Sequence, residues 1–501
     1  MVKPINKIVI VGGGTAGWMA AASLAKYAQG KSLAICLIES SSLPTVGVGE
    51  ATVPNIVEFN RNLGIDEIEL IKATQATFKL GIQFEDWHQK GDNFFHPFAD
   101  YGLKIDQLEF HQYLNRLVAG GENISIQDYS FSCALAKLGH FAQPHPQPPS
   151  PLADYSYAYH FDASLYAQLL QKFAVNLGVT HIDAKVENVN LHASNGFIKS
   201  VTLDDGRDID GDLFIDCSGF KGLLIEQALH TGYEDWSHWL FCDTAVAVQT
   251  ESTGATNPYT RAIADAAGWQ WRIPLQHRTG NGYIYSSQFV SDEDAQNQLL
   301  ETVQGKPINQ PRKIAFTPGR RKQIWNKNCF ALGLASGFLE PLESTSISLV
   351  QTGIAKLLSF FPDSDFNPYD IAEVNRLHNR EMENIRDFLI LHYKMTGRTD
   401  SEFWRRCQAM EIPELLAHKI GIYQSRGHIV MTDNESFQHA SWLTMYQGFK
   451  LQAKRVDPRV ETIELGVLKQ NLAQMRQSIE SAAQQAMSHD SFIDAHCRAQ
   501  R

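Results

Sequence analysis

The segment Lys7-Ile8-Val9-Ile10-Val11-Gly12-Gly13-Gly14-Thr15-Ala16-Gly17 narrows the choice of folds more than any other stretch of the chain. Lys7 to Val11 is a short, β-branched apolar run and predicts a buried strand. Trp18 to Tyr27, rich in Ala and Leu, predicts a helix, and Leu33 to Ile38 predicts a second buried strand ending at Glu39. Parallel strands joined by a helix need a sheet with helices over its faces. The spacing of Gly12, Gly14 and Gly17 fits G-x-G-x-x-G. The first glycine permits a tight turn, the second lets the backbone approach a pyrophosphate, and the third lets the helix close on the strand. Thr15 and Ala16 then stand at a helix N-terminus, whose free amides suit phosphates. Glu39 follows Gly12 by 27 residues (39 − 12), where a carboxylate would hold the ribose hydroxyls of an adenosine. A dinucleotide cofactor follows from this unit, but the loop does not choose between FAD and NAD.

At 501 residues the chain exceeds the usual single domain, so two modules are expected. A net charge of −11 argues against a general nucleic-acid surface. No run of about 18 apolar residues exists to span a membrane. The N-terminus has no leader pattern, and the seven cysteines are scattered with no C-x-x-C pair. Reduced thiols in a cytoplasmic protein are the expectation. The histidines form no H-x-x-x-H or H-x-x-H pair, so no metal site is expected.

Further along, Ser164 to Leu177 reads as a helix and Thr180 to Leu203 as strands around a meander. Asp212 to Cys217 reads as a strand ending at Ser218-Gly219. Phe330 to Gly337 is a second strand-and-turn, which includes Leu334, and a helix begins near Ser346. Pro144 to Pro151 is a surface connector. From Pro368 onward amphipathic helices dominate, ending in one over Leu465 to Met487. Cofactor elements are therefore dispersed. The expected cofactor module is residues 1–90, 155–225 and 315–360, and the expected substrate module is 91–154, 226–314 and 361–501.

Several short runs carry more specific chemistry: Val46-Gly47-Val48-Gly49-Glu50-Ala51-Thr52-Val53-Pro54; Phe78-Lys79-Leu80-Gly81; Trp269-Gln270-Trp271-Arg272-Ile273-Pro274; and Gly337-Phe338-Leu339-Glu340-Pro341-Leu342-Glu343-Ser344-Thr345. With the glycine loop, they make a chain that resembles the flavin-dependent tryptophan/indole halogenases over roughly residues 5 to 350. The resemblance implies an α/β architecture: a Rossmann-like FAD module of the flavoprotein-monooxygenase type, with an inserted and C-terminal, largely helical substrate module.

It also implies a reaction. FADH2 from a separate flavin reductase meets oxygen and forms a flavin hydroperoxide. Chloride or bromide attacks this to give hypohalous acid, which passes to a second site and halogenates an electron-rich ring. Lys79 matches the family's essential lysine, which either hydrogen-bonds hypohalous acid or is itself halogenated to a chloramine. The residues do not choose between these routes. An exposed lysine would be the ordinary alternative, but Phe78, Leu80, Gly81 and Ile82 are not a solvated face. Glu343 matches the second catalytic residue, a carboxylate able to stabilise the ring cation and accept its proton. Glu340 is its nearest competitor, and Glu343 with Ser344-Thr345 could also simply cap the following helix. The halide would sit on the amides of Thr345 and Ser346. Ser346 stands where the family commonly has glycine, which bears on the pocket's shape. Gly49, Glu50, Ala51 and Thr52 would form a strap along the flavin, close-lying through Gly47 and Gly49, and Leu334 would contact it. Trp269, Trp271, Ile273 and Pro274 would wall the flavin off from substrate, against core packing as the plainer role.

Tryptophan-specific members hold the amino-acid head with a Tyr-Tyr pair and a following Glu. The matching stretch here, Phe437 to Phe449, has neither. The expected substrate is therefore indole or another simple aromatic, with His96, Phe98 and Trp442 as pocket residues. Three competing readings remain at this level: an aromatic monooxygenase, a halogenase acting on a carrier-tethered substrate, and a non-catalytic flavin protein. The C-terminal helices are compatible with a homodimer.

Overall fold

A computed structural model describes residues 3–42, 49–105 and 107–500. The chain divides into two compact units, each assembled from three segments. The first comprises residues 1–76, 161–238 and 315–383; the second comprises 77–160, 239–314 and 384–501.

The first unit is built on a sheet whose strand order is Trp325–Asn326, Cys329–Ala331, Leu213–Asp216, Lys7–Val11, Ala34–Glu39, Thr180–Asp183. All neighbours are parallel except the terminal Trp325–Asn326 hairpin strand. Val9, Val11, Ile38, Phe214 and Ala331 share one buried cluster with Val201, Leu224 and Ile225. The Thr15–Ala28 helix buries Trp18 to Ala25, an unbroken run expected of a helix covered on several sides. The strand Thr180–Asp183 departs from the expected meander. It pairs in parallel with Ala34–Glu39, and only Val186–Leu191, Ile198–Leu203 and Asp208–Asp210 form the antiparallel sheet.

In the second unit six neighbouring strands run Thr244–Thr250, Thr279–Tyr285, Gly268–Pro274, Thr260–Asp265, Gly81–Glu85, Asn93–Pro97. The C-terminal segment supplies the helices Glu402–Ala409, Glu414–Arg426, His439–Gly448 and Leu465–Gln485, while the inserted segments supply this sheet together with the helices Phe110–Ala119, Phe131–Leu138 and Asp292–Thr302. Unit boundaries differ from expectation for a related reason. Gly81–Glu85 pairs with Thr260–Asp265, which draws residues 77–90 into the second unit, while 226–238 and 361–383 join the first. None of the seven cysteines forms a disulfide. Among the described residues no helix is long and apolar enough to cross a membrane, and no cluster of His, Cys, Asp or Glu could hold a metal ion.

Candidate active site

In the first unit the glycine loop is shaped by what lies against it. Gly12 has φ 111° and its amide donates to the Ile38 carbonyl at 2.8 Å. A Cβ at Gly12 would collide with the Cys217 carbonyl, and one at Gly17 with the Gly12 carbonyl. Gly14 has open space around its missing Cβ and serves as the helix N-cap without a side-chain hydrogen bond. No acidic residue occupies the helix's first turn. This end of the helix therefore presents amides and a bare backbone to an anion, which fits a pyrophosphate. Gly333 faces Ala16, a Cβ there lying 2.8 Å from the Ala16 methyl, so the Gly333–Ala335 turn with Leu334 adjoins the Thr15-Ala16 helix start. Glu39 ends its strand with its carboxylate against Gly13. Gly49–Ala51 is a short strand, and burial pushes the Glu50 carboxyl up to about 7. Val46, Gly47 and Val48 lie outside the described residues.

Also in the first unit, Glu340 precedes and Glu343 ends the single turn Pro341–Glu343, and both are buried. Ser344 adopts a left-handed backbone (φ 58°, ψ 33°), costly for a residue with a Cβ, and the helix Thr345–Ser359 starts at once after it. Ser344 makes no side-chain cap bond to that helix, so the capping alternative does not hold for its hydroxyl. Thr345 is buried and its hydroxyl has no hydrogen-bond partner among the described residues. The first amides of this helix, Thr345 and Ser346, thus begin at a strained turn next to a buried carboxylate.

In the second unit Lys79 has no solvent exposure at all. It ends a strand, Thr77–Lys79, that pairs antiparallel with residues 158–160, Thr77 opposite His160 and Lys79 opposite Ala158. Thr77 and Lys79 share one face and Phe78 the other. Phe78 stacks on Phe141 at 4.1 Å, and its amide donates to His489 Nε2 at 3.1 Å. Thr77 Oγ1 donates to the Pro274 carbonyl at 2.7 Å, so its contact with His160 Nδ1 at 2.9 Å must use an imidazole N–H. His160 Nε2 then accepts from Thr260 Oγ1 at 2.9 Å. Burial first, and then the nearby charge of Lys79, hold His160 well below the usual imidazole range. Burial likewise holds His489 at about 4. Both imidazoles are neutral at pH 7. The Lys79 ammonium stands 5.2 Å from the centroid of the Phe98 ring, within cation–π range.

Trp269, Trp271 and Ile273 lie on one face of Gly268–Pro274, and all three are buried. The two indoles are 6.2 Å apart, Trp269 is 6.3 Å from Trp87, and the Trp271 ring fills the space above Gly282. Packing within this unit is thus a role both indoles hold. On the other face Arg272 Nη2 donates to Gln270 Oε1 at 2.6 Å, and burial brings the guanidinium down to about 10. Two of the expected pocket residues meet through Phe388, whose ring is 6.1 Å from His96 and 5.0 Å from Trp442 and stacks on Phe437 at 3.9 Å. Lys419 stands 4.0 Å over the Trp442 ring and pairs with Glu435, both side chains being buried.

Residues 7–464 match the family model described as tryptophan halogenase. The chain belongs to that family. It is a flavin-dependent halogenase with a Rossmann-like α/β fold. It is 37% identical over 440 residues to tryptophan 7-halogenase RebH from Lentzea aerocolonigenes, covering 84% of this chain and 82% of the relative. Its structure is similar to that of BrvH, a flavin-dependent halogenase from Brevundimonas sp. BAL3, with TM-score 0.96, 47% identity, and 98% and 99% of the two chains covered. It is equally similar to Xcc4156, a flavin-dependent halogenase from Xanthomonas campestris, with TM-score 0.96, 44% identity and 99% of each chain covered.

Sequence reading of this halogenase missed Thr77, His160, Phe388, Phe437, Lys419 and Glu435. Thr77 lies two residues before Lys79, so strand alternation could have placed it on the lysine's face. Phe388 sits in an amphipathic helix with no local signal to set it apart from the core.

Proposed function

We propose that this halogenase acts on a simple electron-rich aromatic, most readily indole or a small indole derivative rather than free tryptophan, with chloride or bromide as the halide. Reduced FAD comes from a separate reductase and, when bound, supplies hypohalous acid from oxygen and halide. Gly12, Gly14 and Gly17 admit the pyrophosphate to the helix amides, and Glu39 accepts the ribose hydroxyls. The Thr345 and Ser346 amides hold the halide. Lys79 donates to hypohalous acid or, as the free amine, carries its halogen. Glu343 takes the proton released by the ring. Reduced thiols and reductase-supplied flavin make the cytoplasm the compartment for this chemistry.

The observation that carries this reading is the complete burial of Lys79 beside the Phe98 ring, with neutral imidazoles around its strand. Taking an ammonium out of water is costly, and the position keeps it nonetheless. The preference against free tryptophan rests on the Phe437–Phe449 stretch, which lacks the tyrosine pair. The acid in the Trp442 cluster, Glu435, is engaged by Lys419 and by Thr432 Oγ1 at 2.7 Å through Oε1 alone, and among the described residues its buried Oε2 has no hydrogen-bond partner.

The test is turnover followed by mass spectrometry, with FAD, a generic reductase, NADH, and chloride or bromide. Indole, tryptophan, phenols and pyrroles would be compared. Halogenated indole at a higher kcat/KM than tryptophan supports the reading. Efficient tryptophan halogenation with little on indole overturns the substrate assignment.

A further inference from the structure

Glu39 is gripped from three sides by its own unit. His181 Nε2 lies 2.9 Å from Glu39 Oε1. His181 belongs to the neighbouring strand Thr180–Asp183, opposite Leu37 in the register. Its other ring nitrogen, Nδ1, is 3.2 Å from Gln171 Nε2 on the Ala163–Asn176 helix. An amide nitrogen only donates, so Nδ1 carries the lone pair and Nε2 carries the proton, directed at Glu39. Trp18, in the helix that follows the glycine loop, stands edge-on to His181 at 5.3 Å, and its indole acts to lower the Glu39 carboxyl. On the third side, Gly13 leaves the room that the carboxylate occupies. Gly13 is not one of the three spaced glycines of the motif, yet any side chain there would displace Glu39.

These contacts leave a definite remainder. An ionised carboxylate offers about four acceptor positions. Among the described residues His181 and Trp18 are the groups that act on it, which leaves acceptor positions for the vicinal hydroxyls of a ribose. Burial raises the Glu39 carboxyl above its ordinary range, while His181 and Trp18 act in the opposite direction and favour the ionised acceptor.

We propose that His181 and Trp18 are positioning residues for cofactor binding, with Gln171 setting the imidazole tautomer, and that together they hold Glu39 in the one orientation that accepts the adenosine ribose diol of FAD. This rests on the assignment of Glu39 as the ribose ligand. Their role is indirect, because neither needs to touch the cofactor itself.

Equilibrium binding of oxidised FAD to the full-length apoprotein, read by quenching of flavin fluorescence, tests the proposal in a double-mutant cycle. His181→Ala is expected to raise Kd about tenfold, the worth of one hydrogen bond to a charged group. His181→Gln, which keeps an N–H donor, should recover part of that loss. In a Glu39→Gln background His181→Ala should add almost nothing. Trp18→Phe, which keeps the ring and removes the donor, runs the same cycle and serves if His181→Ala does not fold. If Glu39→Gln weakens FAD but the His181 and Trp18 variants do not, or if their losses add in full to it, the positioning role is overturned and the ribose assignment stands. If Glu39→Gln itself leaves Kd unchanged, the ribose assignment fails and the positioning role with it.

Discussion

Thr77 Oγ1 donates to the carbonyl of Pro274 at 2.7 Å, joining residues 197 positions apart in the chain. The strand that ends in Lys79 is thereby tied to the last residue of the tryptophan motif. Because the threonine's one hydrogen is used there, His160 must present an N–H to Thr77 and a lone pair to Thr260. A buried neutral histidine with a fixed tautomer is the result. In this unit the tryptophan motif does more than pack indoles, since its end also anchors the strand that carries Lys79.

Thr77→Val keeps the β-branched shape and removes the hydroxyl. The Pro274 carbonyl and the His160 N–H would each lose a partner, at about 1–3 kcal/mol apiece. A lower thermal midpoint is expected, together with less halogenated product per flavin oxidised. An unchanged product-to-peroxide ratio would show that the anchor does not reach Lys79.

Lys79→Met preserves length and apolar bulk but removes the charge. Product formation should vanish while FADH2 oxidation and peroxide release continue near their normal rates. Should FAD affinity collapse at the same time, Lys79 holds structure rather than chemistry.

If Glu343 takes the ring proton as proposed, Glu343→Gln should slow product formation by a factor of about 10²–10³. Glu340→Gln is the paired control, because both carboxylates are buried and three residues apart. A large loss in Glu340→Gln with little in Glu343→Gln would reverse their roles.

Gly282→Ala would force a methyl group into the Trp271 ring, in the middle of a sheet where the ring has little room to retreat. Overpacking of this kind costs about 1–3 kcal/mol. Thermal denaturation without flavin should reveal it, and a wild-type midpoint would mean the indole relocates freely.

The Glu50 carboxyl, pushed up to about 7 by burial, makes stability depend on pH. Between its ordinary value near 4.5 and about 7 the folded chain keeps a proton that the unfolded chain has lost. Stability contributed by this group therefore falls as pH rises through that window, by up to about 3 kcal/mol. Glu50→Gln should narrow the difference in thermal midpoint between pH 5 and pH 8. An equal difference in both proteins would assign the pH dependence to other groups.

What could be read from sequence was what local pattern encodes. Lys7–Val11, Ala34–Glu39 and Leu213–Asp216 are apolar runs ending at glycine, acid or small residues, and each became a parallel strand. Thr180–Asp183 was misplaced because its partner lies far away in sequence, and its largely exposed side chains give no buried-strand signal. Gly268–Pro274 was legible as a motif and as an extended segment with both indoles on one side, but not as an inner strand, because its pairing with Thr260–Asp265 and Thr279–Tyr285 is set by register rather than by its own residues. The Lys79 segment announced burial through Phe78 and Leu80, but nothing local pointed to Thr260, Pro274 or His489, the groups that fix its surroundings. His181 had no motif to mark it; its role comes from register alone.

The chain passes between its two units at 76–77, 160–161, 238–239, 314–315 and 383–384. No contiguous stretch of the gene encodes either one. Recombination that shuffles whole exchangeable modules therefore has no clean cut to make here. New ring preferences in a lineage with this layout must arise by substitution and loop change inside a cofactor scaffold that is inherited intact.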